Sequence, residues 1–270
     1  MNEIIDEILK KTDRYNLHSH TPWCDGKADM RTMVDGAISE GLSHYGVSPH
    51  SPVDIPSPCN MSHESVGEYL ETMKILKEEY AGRINLLTGM EIDYLRPDYG
   101  PHIDYFRRLP LDYKIGSVHY VPTRSGELVD CDGSAERFAV NLRDAFRGDL
   151  RYVVERYFSQ LLTMIESGGF DILGHPDKIA ANASAVAPGI ENEGWYGALI
   201  EDVARYAAAS DIFVEINTKA YPRKGRFFPA SRWWRLFAEK GCKFVVNSDA
   251  HRPDLTDAGR KEALRMLGEL

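Results

Sequence analysis

The sequence predicts an α/β fold, a barrel of parallel strands joined by helical crossovers. Three observations carry that expectation. Short apolar runs of strand type recur seven times, at residues 15–18, 45–48, 84–92, 113–118, 171–173, 212–216 and 244–247. Longer stretches between them place apolar residues three and four apart, the spacing of one helix face. Finally, six of the nine histidines stand at or just after the strand-like runs, in company with Asp25, Glu91 and Asp249. A β-α alternation of this kind favours a parallel sheet, and a chain of 270 residues suits one domain spanning 1–270.

In chain order, the run at 15–18 leads into His18-Ser19-His20, and a helical stretch at 30–40 ends at Gly41. The second run precedes Pro49-His50, and a helix is expected over 66–80. The third run carries Glu91 near its end, and the fourth stops before His119. A helix over 150–167 closes on Gly168-Gly169, and the fifth run is followed by His175. Helices over 195–209 and 231–240 bracket the sixth run, and the seventh leads into Asp249-Ala250-His251. Gly41, Gly168 and Gly241 fall where a helix ends in a left-handed residue. The stripe Trp233, Trp234, Leu236 and Phe237 reads as the packing face of its helix. Three connections look irregular: the proline-rich 51–61, the polar, turn-rich 121–133, and 176–194. Long loops of this sort are often binding loops.

Composition limits the partners. The net charge of −9 argues against a general nucleic-acid or membrane surface, and leaves room for a local cationic site. No apolar run approaches the roughly 18 residues of a membrane span. The N-terminal residues carry acid where a secretory signal carries base, so a cytoplasmic location is expected. Cys24, Cys59, Cys131 and Cys242 form no CxxC pair and are expected to be reduced thiols. Cys24 lies between two candidate ligands, which leaves a thiolate ligand open there.

Parallel barrels gather the C-terminal ends of their strands on one face, where their sites are built. On that geometry His18, His20, Asp25, His50, Glu91, His119, His175, Asp249 and His251 converge as metal ligands. Side chains alternate along a strand with period two, so both imidazoles of His18-Ser19-His20 face one way, as do Asp249 and His251. Nine nitrogen and oxygen ligands exceed the four to six that one ion takes, which implies two or three divalent cations; Zn, Fe and Mn all suit the set. Glu91 has two oxygens and is the natural bridge, although a salt-bridged core acid is the alternative. Closely spaced cations make hydroxide from a bridging water at neutral pH, and that hydroxide attacks phosphorus in line. The expected partner is a small phosphorylated substrate. Arg223, in the densest basic segment, together with Lys219 and Lys178, are the candidate phosphate-binding residues; a solvated loop is the competing reading for the basic segment. His44, His63 and His102 end no strand-like run and are read as structural.

Taken together, these motifs resemble the PHP (polymerase and histidinol phosphatase) family, over about residues 14 to 257. Within it, the segments 89–94, 111–119, 132–138, 171–177 and 215–218 are similar to the histidinol-phosphatase branch. The resemblance implies a distorted seven-stranded β/α barrel with a di- or trinuclear metal site at the strand C-termini. It implies that His18, His20, Glu91 and Asp249 hold one ion, that Glu91, His119 and His175 hold a second, and that Asp25, His50 and His251 hold a third. Pro49 stands where that branch usually has an acid. The activity implied is hydrolysis of L-histidinol phosphate to L-histidinol and phosphate, a step of histidine biosynthesis, with Glu91 and Asp249 as the catalytic pair and Asp249, or a water it orients, as proton donor. The alternatives are a phosphodiesterase or nuclease on the same barrel, and a non-catalytic metal-binding protein. The sequence leaves oligomeric state open.

Overall fold

A computed structural model describes residues 2–270. The chain opens with helix α1 (Glu3–Lys11), whose first turn is capped by the Asn2 side chain accepting from the backbone N–H groups of Ile4 and Ile5. There follow β1 (Tyr15–Asn16), α2 (Met30–Ser39), β2 (His44–Val47), α3 (Ser65–Glu79), β3 (Asn85–Thr88), β4 (Glu91–Asp93) and α4 (Asp104–Arg107). The middle of the chain forms β5 (Ile115–Ser117), β6 (Tyr120–Pro122), β7 (Leu128–Asp130), α5 (Ala135–Asp144), α6 (Leu150–Ser167) and β8 (Ile172–Leu173). The last part supplies α7 (Ile179–Val186), α8 (Gly194–Ala209), β9 (Phe213–Asn217), α9 (Tyr221–Lys224), α10 (Trp234–Glu239), β10 (Lys243–Asn247) and α11 (Arg260–Leu267).

The strands form two parallel sheets, β1-β2-β3 and β10-β9-β8-β5-β4, with β6 and β7 as a separate antiparallel hairpin. The continuous ladders do not make one closed seven-stranded ring. The two sheets meet instead through isolated parallel bridges: Ser19 to Ala250, each flanked by candidate ligands, and His50 to Glu91, themselves candidate ligands.

Period-two alternation decides what faces inward. Tyr15, Leu87, Ile115, Ile172, Phe213 and Val245, from six of the eight parallel strands, meet in an apolar floor with Ile5 and Ile8 of α1. Two residues further along, the same faces turn polar: Ile115 gives way to Ser117 and then His119, Phe213 to Glu215 and Asn217, Val245 to Asn247 and Asp249. The outward positions stay apolar. Leu173 and Val214 pack beneath α6 and α8, Val47 and Ile92 in the cluster of α2 and α3, and Ile216 and Val246 with Trp234 and Ala263. A dry floor, a polar upper rim and an apolar outer shell follow from one alternation. Arg260 ties α11 to this frame: its Nε donates to Val246 O and its Nη2 to Asp13 O, with Asp257 as its ion-pair partner.

Several sequence expectations shift here. The run at 84–92 breaks into β3 and β4 at Gly89-Met90. The 121–133 connection is the β6–β7 hairpin, whose second strand is only half-buried and makes no apolar run. Helix α5 was not anticipated, and 176–194 holds α7 rather than an irregular loop. The 231–240 stretch is a 3₁₀ turn leading into α10. The 51–61 segment is irregular, as expected. Gly41, Gly168 and Gly241 all have positive φ at helix ends. Gly169 also has a positive φ, and a Cβ there would lie 2.6 Å from His102 Cα, so only glycine fits. No described helix is long and apolar enough to cross a membrane.

Candidate metal centre

All nine candidate ligands meet above the apolar floor, with Glu91 at their centre. Its Oε2 lies 3.1 Å from His18 Nε2, 3.4 Å from His20 Nε2 and 3.1 Å from His50 Nδ1. Its Oε1 lies 2.8 Å from His175 Nε2 and 3.5 Å from His119 Nε2. Asp249 Oδ1 is 3.1 Å from His20 Nε2 and 3.4 Å from His251 Nδ1. Asp25 sits at the outer rim, 3.1 Å from His251 Nε2 and 3.5 Å from His20 Nδ1. Four sets have ligand atoms close enough to share an ion: His18, Glu91 and His175; His18, His20 and Asp249; His20, Asp25, His50 and His251; and His50, Asp93 and His119.

The donor chemistry fits cations. His18 Nε2, His20 Nε2 and His50 Nδ1, all facing Glu91 Oε2, are buried without hydrogen-bond partners. Buried polar atoms are rarely left so, and a cluster of them aimed at one point is the shape of a metal site. Two ligands also sit on strained backbone: His175 has φ 25° and Asp249 φ 50°. Those left-handed turns, unusual for residues with a Cβ, swing the chain at the end of β8 and just after β10 so that each side chain points inward.

Two further carboxylates set the imidazoles. Glu215 Oε1 is 2.7 Å from His18 Nδ1, and its Oε2 accepts from the His175 backbone N–H at 3.0 Å. Asp93 Oδ1 is 2.6 Å from His119 Nδ1. Asp93 also falls in a possible ligand set with His50 and His119. Its bond to Nδ1 leaves His119 Nε2 as the free nitrogen facing Glu91, so we assign Asp93 as the orienting partner. Burial works against charge on His18, and Glu215, Glu91 and Asp249 more than compensate, holding its pKa well above the usual range. His119 is opposed by burial in the same way and is pushed up to about 10 by Asp93 and Glu91. His20, buried and crowded by His251 and His50, falls well below. Glu91 resists its burial because His50, His18 and His119 surround it, and it stays well below the ordinary carboxylate value.

Sequence reading assigned no role to Glu215 or Asp93. The signal for Asp93 was available, since it stands two residues beyond Glu91 and shares its face. For Glu215 only the tertiary pairing with His18 reveals the role.

The site opens into a cavity of about 1150 Å³, whose lining includes Asp25, His50, His119, Tyr120, Asp132 and Lys219. Lys219 Nζ is 3.2 Å from Asp249 Oδ1. Lys178 Nζ lies between Asp132 Oδ2 at 3.5 Å and Asp249 Oδ2 at 3.7 Å. Arg223 is not brought to this place; it is exposed on the short α9, outside the cavity lining. The charge of the basic segment enters the site through Lys219 alone, because α9 turns its arginine toward solvent. Arg226, three residues on, pairs with Glu191. Cys24 Sγ lies 3.5 Å from His20 Nδ1 and donates to Thr21 O at 3.3 Å, burial pushes its thiol up to about 12, and it falls in none of the sets whose atoms could share an ion. Of the other histidines, His44 bonds Ser43 and Asn85 and His102 bonds Pro97 O, away from the centre.

The fold and this site define an α/β protein built around a polynuclear cation site of imidazoles and carboxylates. The chain belongs to the PHP domain family, whose model matches residues 16–219. It is similar to a protein of Schizosaccharomyces pombe named "probable histidinol-phosphatase", 26% identical over 254 residues, 87% of this chain and 80% of that one. Among solved structures, HisK of Listeria monocytogenes superposes with a TM-score of 0.80 at 20% identity, covering 92% of this chain and 99% of that chain. Histidinol phosphate phosphatase of Lactococcus lactis, complexed with Zn, L-histidinol and phosphate, gives 0.69 at 19%, covering 95% and 93%.

Proposed function

We propose that the protein is a metal-dependent phosphomonoesterase that hydrolyses L-histidinol phosphate to L-histidinol and phosphate, acting in the cytoplasm in histidine biosynthesis. The observation that carries this reading is the convergence of five imidazole nitrogens on the two oxygens of Glu91. The names of the similar proteins supply the substrate. His18, His20, Glu91 and Asp249 would hold one divalent ion, Glu91, His119 and His175 a second, and Asp25, His50 and His251 a third, with Zn, Fe or Mn all suited. Such ions, when bound, lower the pKa of water and neutralise charge on a phosphoryl group.

The chain's own residues do the rest. Lys219, in the cavity lining, and Lys178, outside it, flank Asp249; Lys219 is placed to supply a cation for phosphoryl oxygens, with Lys178 adding charge from behind Asp249. Asp249 is buried, and Lys219, His18 and Lys178 hold its carboxyl well below the usual range. It is therefore ionised, which favours a water that it orients as the proton source for the leaving alkoxide. The acidic cavity wall, with Asp130 and Asp132, suits a substrate that carries an amine and an imidazole. We read β1, β2, the β3–β4 pair, β5, β8, β9 and β10 as the seven staves of a distorted barrel within a single domain, 1–270.

Release of phosphate from histidinol phosphate by metal-replete protein, measured beside nucleoside monophosphates and short single strands, tests the proposal. Preferential turnover of histidinol phosphate is expected. Equal or faster turnover of the strands would replace it with the phosphodiesterase reading.

A further inference from the structure

The irregular 51–61 loop begins and ends on the metal site. Ser51 N donates to Glu91 O at 2.7 Å, and Met61 N donates to His50 O at 3.3 Å, so the loop leaves and rejoins the chain beside two candidate ligands. Near its end stands Asn60, whose amide is fully engaged. Its Nδ2 donates to Ser51 O and to Asp93 Oδ2, both at 2.8 Å, and its Oδ1 accepts from Ser57 Oγ at 2.5 Å. Ser57 Oγ in turn accepts from the Tyr120 hydroxyl at 2.9 Å. Asp93 passes the chain on, since its other oxygen takes His119 Nδ1.

The direction of every bond in this chain is fixed. Two acceptors face Asn60 Nδ2, so only the NH₂ end of the amide fits there. With one oxygen occupied by Asn60, Asp93 is left to receive Nδ1–H of His119 with the other. That fixes His119 in the tautomer whose Nε2 lone pair faces Glu91. The carboxylate of an aspartate at position 60 would instead confront Asp93.

We infer that Asn60 is a positioning residue for the metal centre: acting through Asp93, it fixes the ring and tautomer of His119. The inference rests on the reading of this cluster as a cation site and is independent of the substrate.

The test counts bound ions by elemental analysis, before and after a timed challenge with a chelator, in wild type and in Asn60→Ala, Ser57→Ala and Tyr120→Phe. Asn60→Ala is expected to lose an ion, or to hold it about tenfold more weakly, the scale typical of a lost outer partner. Tyr120→Phe cuts the tie between loop and hairpin while leaving Asn60, Asp93 and His119 joined, and is expected to keep its ions. Ser57→Ala frees the Asn60 amide oxygen together with the Tyr120 hydroxyl and the Cys59 N–H, keeps the Nδ2 bonds to Ser51 O and Asp93, and is expected to fall between them. Metal retention in Asn60→Ala equal to wild type, or a loss in Tyr120→Phe as large as in Asn60→Ala, would reduce Asn60 to a loop anchor and overturn the inference. If Asn60→Ala does not fold, Ser57→Ala decides: wild-type retention there overturns it. A wild type that binds no ions at all would sink the metal reading itself, a separate outcome.

Discussion

Glu215 and His18 stand 197 positions apart in the chain, yet Glu215 Oε1 lies 2.7 Å from His18 Nδ1 with both side chains fully buried. The same imidazole presents Nε2 to Glu91 Oε2 at 3.1 Å. One carboxylate thus sets the ring, and the other waits across the cation site. Asp93 and His119 repeat the arrangement on β4 and just after β5.

Replacing Glu215 by Gln keeps the shape and removes the charge. Metal affinity, measured by titration of metal-stripped protein, is expected to fall roughly 10- to 100-fold, with the circular dichroism of the folded chain unchanged. Unaltered affinity would make Glu215 a packing residue.

Glu91→Ala removes the one group that touches all of His18, His20, His50, His119 and His175. Both ion content and phosphate release are expected to collapse, by more than the roughly 10- to 100-fold of an outer partner. Normal stoichiometry with retained turnover would refute its bridging role.

The two lysines and Arg223 are expected to part company. Lys219→Ala should raise KM if Lys219 grips ground-state phosphate, and lower kcat if its contact is made in the transition state. Arg223→Ala should change neither, since Arg223 is exposed and outside the cavity lining. A kinetic effect of Arg223→Ala would show that α9 moves inward on binding.

Removal of the ions should lower the melting temperature. A ligand at a thousandfold excess over its dissociation constant stabilises by about 4 kcal/mol, on the order of 10 °C for a chain of this size. Calorimetry with and without chelator reads this directly, and coincident melts would argue against tight binding.

His44 supplies a pH effect remote from the metal centre. Burial, then Lys11, lowers its pKa below the ordinary 6.5, and Asn85 Nδ2 lies 3.2 Å from Nε2, where it favours the neutral ring. The unfolded chain therefore takes up this proton first as pH falls. The stability due to His44 is complete above about 6.5 and is lost as pH drops from there through the folded value. Between about pH 7.5 and 5, wild type should lose slightly more stability than His44→Gln, by no more than about 1 kcal/mol. Parallel pH profiles would remove the effect.

Much of the candidate metal centre was legible because the residues it gathers come from strand ends, where a period-two face and a short apolar run are both visible in the residues. His18, His20, Glu91, Asp249 and His251 needed no coordinates for that reason. Helices α2, α3, α6 and α8 followed from apolar residues spaced three and four apart. The hairpin at 120–130 and helix α5 escaped, because β7 is only half-buried and makes no apolar run and α5 carries only two buried apolar residues, Phe138 and Leu142.

Taken alone, the sequence determined the alternation of strand and helix and the identities of the nine candidate ligands, since both are written in local spacing. Tertiary structure alone decided how those ligands are held. Glu215 on His18, Asp93 on His119 and Asn60 on Asp93 are pairings between distant segments, and the outward placement of Arg223 on α9, with Lys219 and Lys178 beside Asp249, is likewise tertiary. A hydrogen bond of under 3 Å depends on where two backbones lie in space, and no local pattern of residues records that.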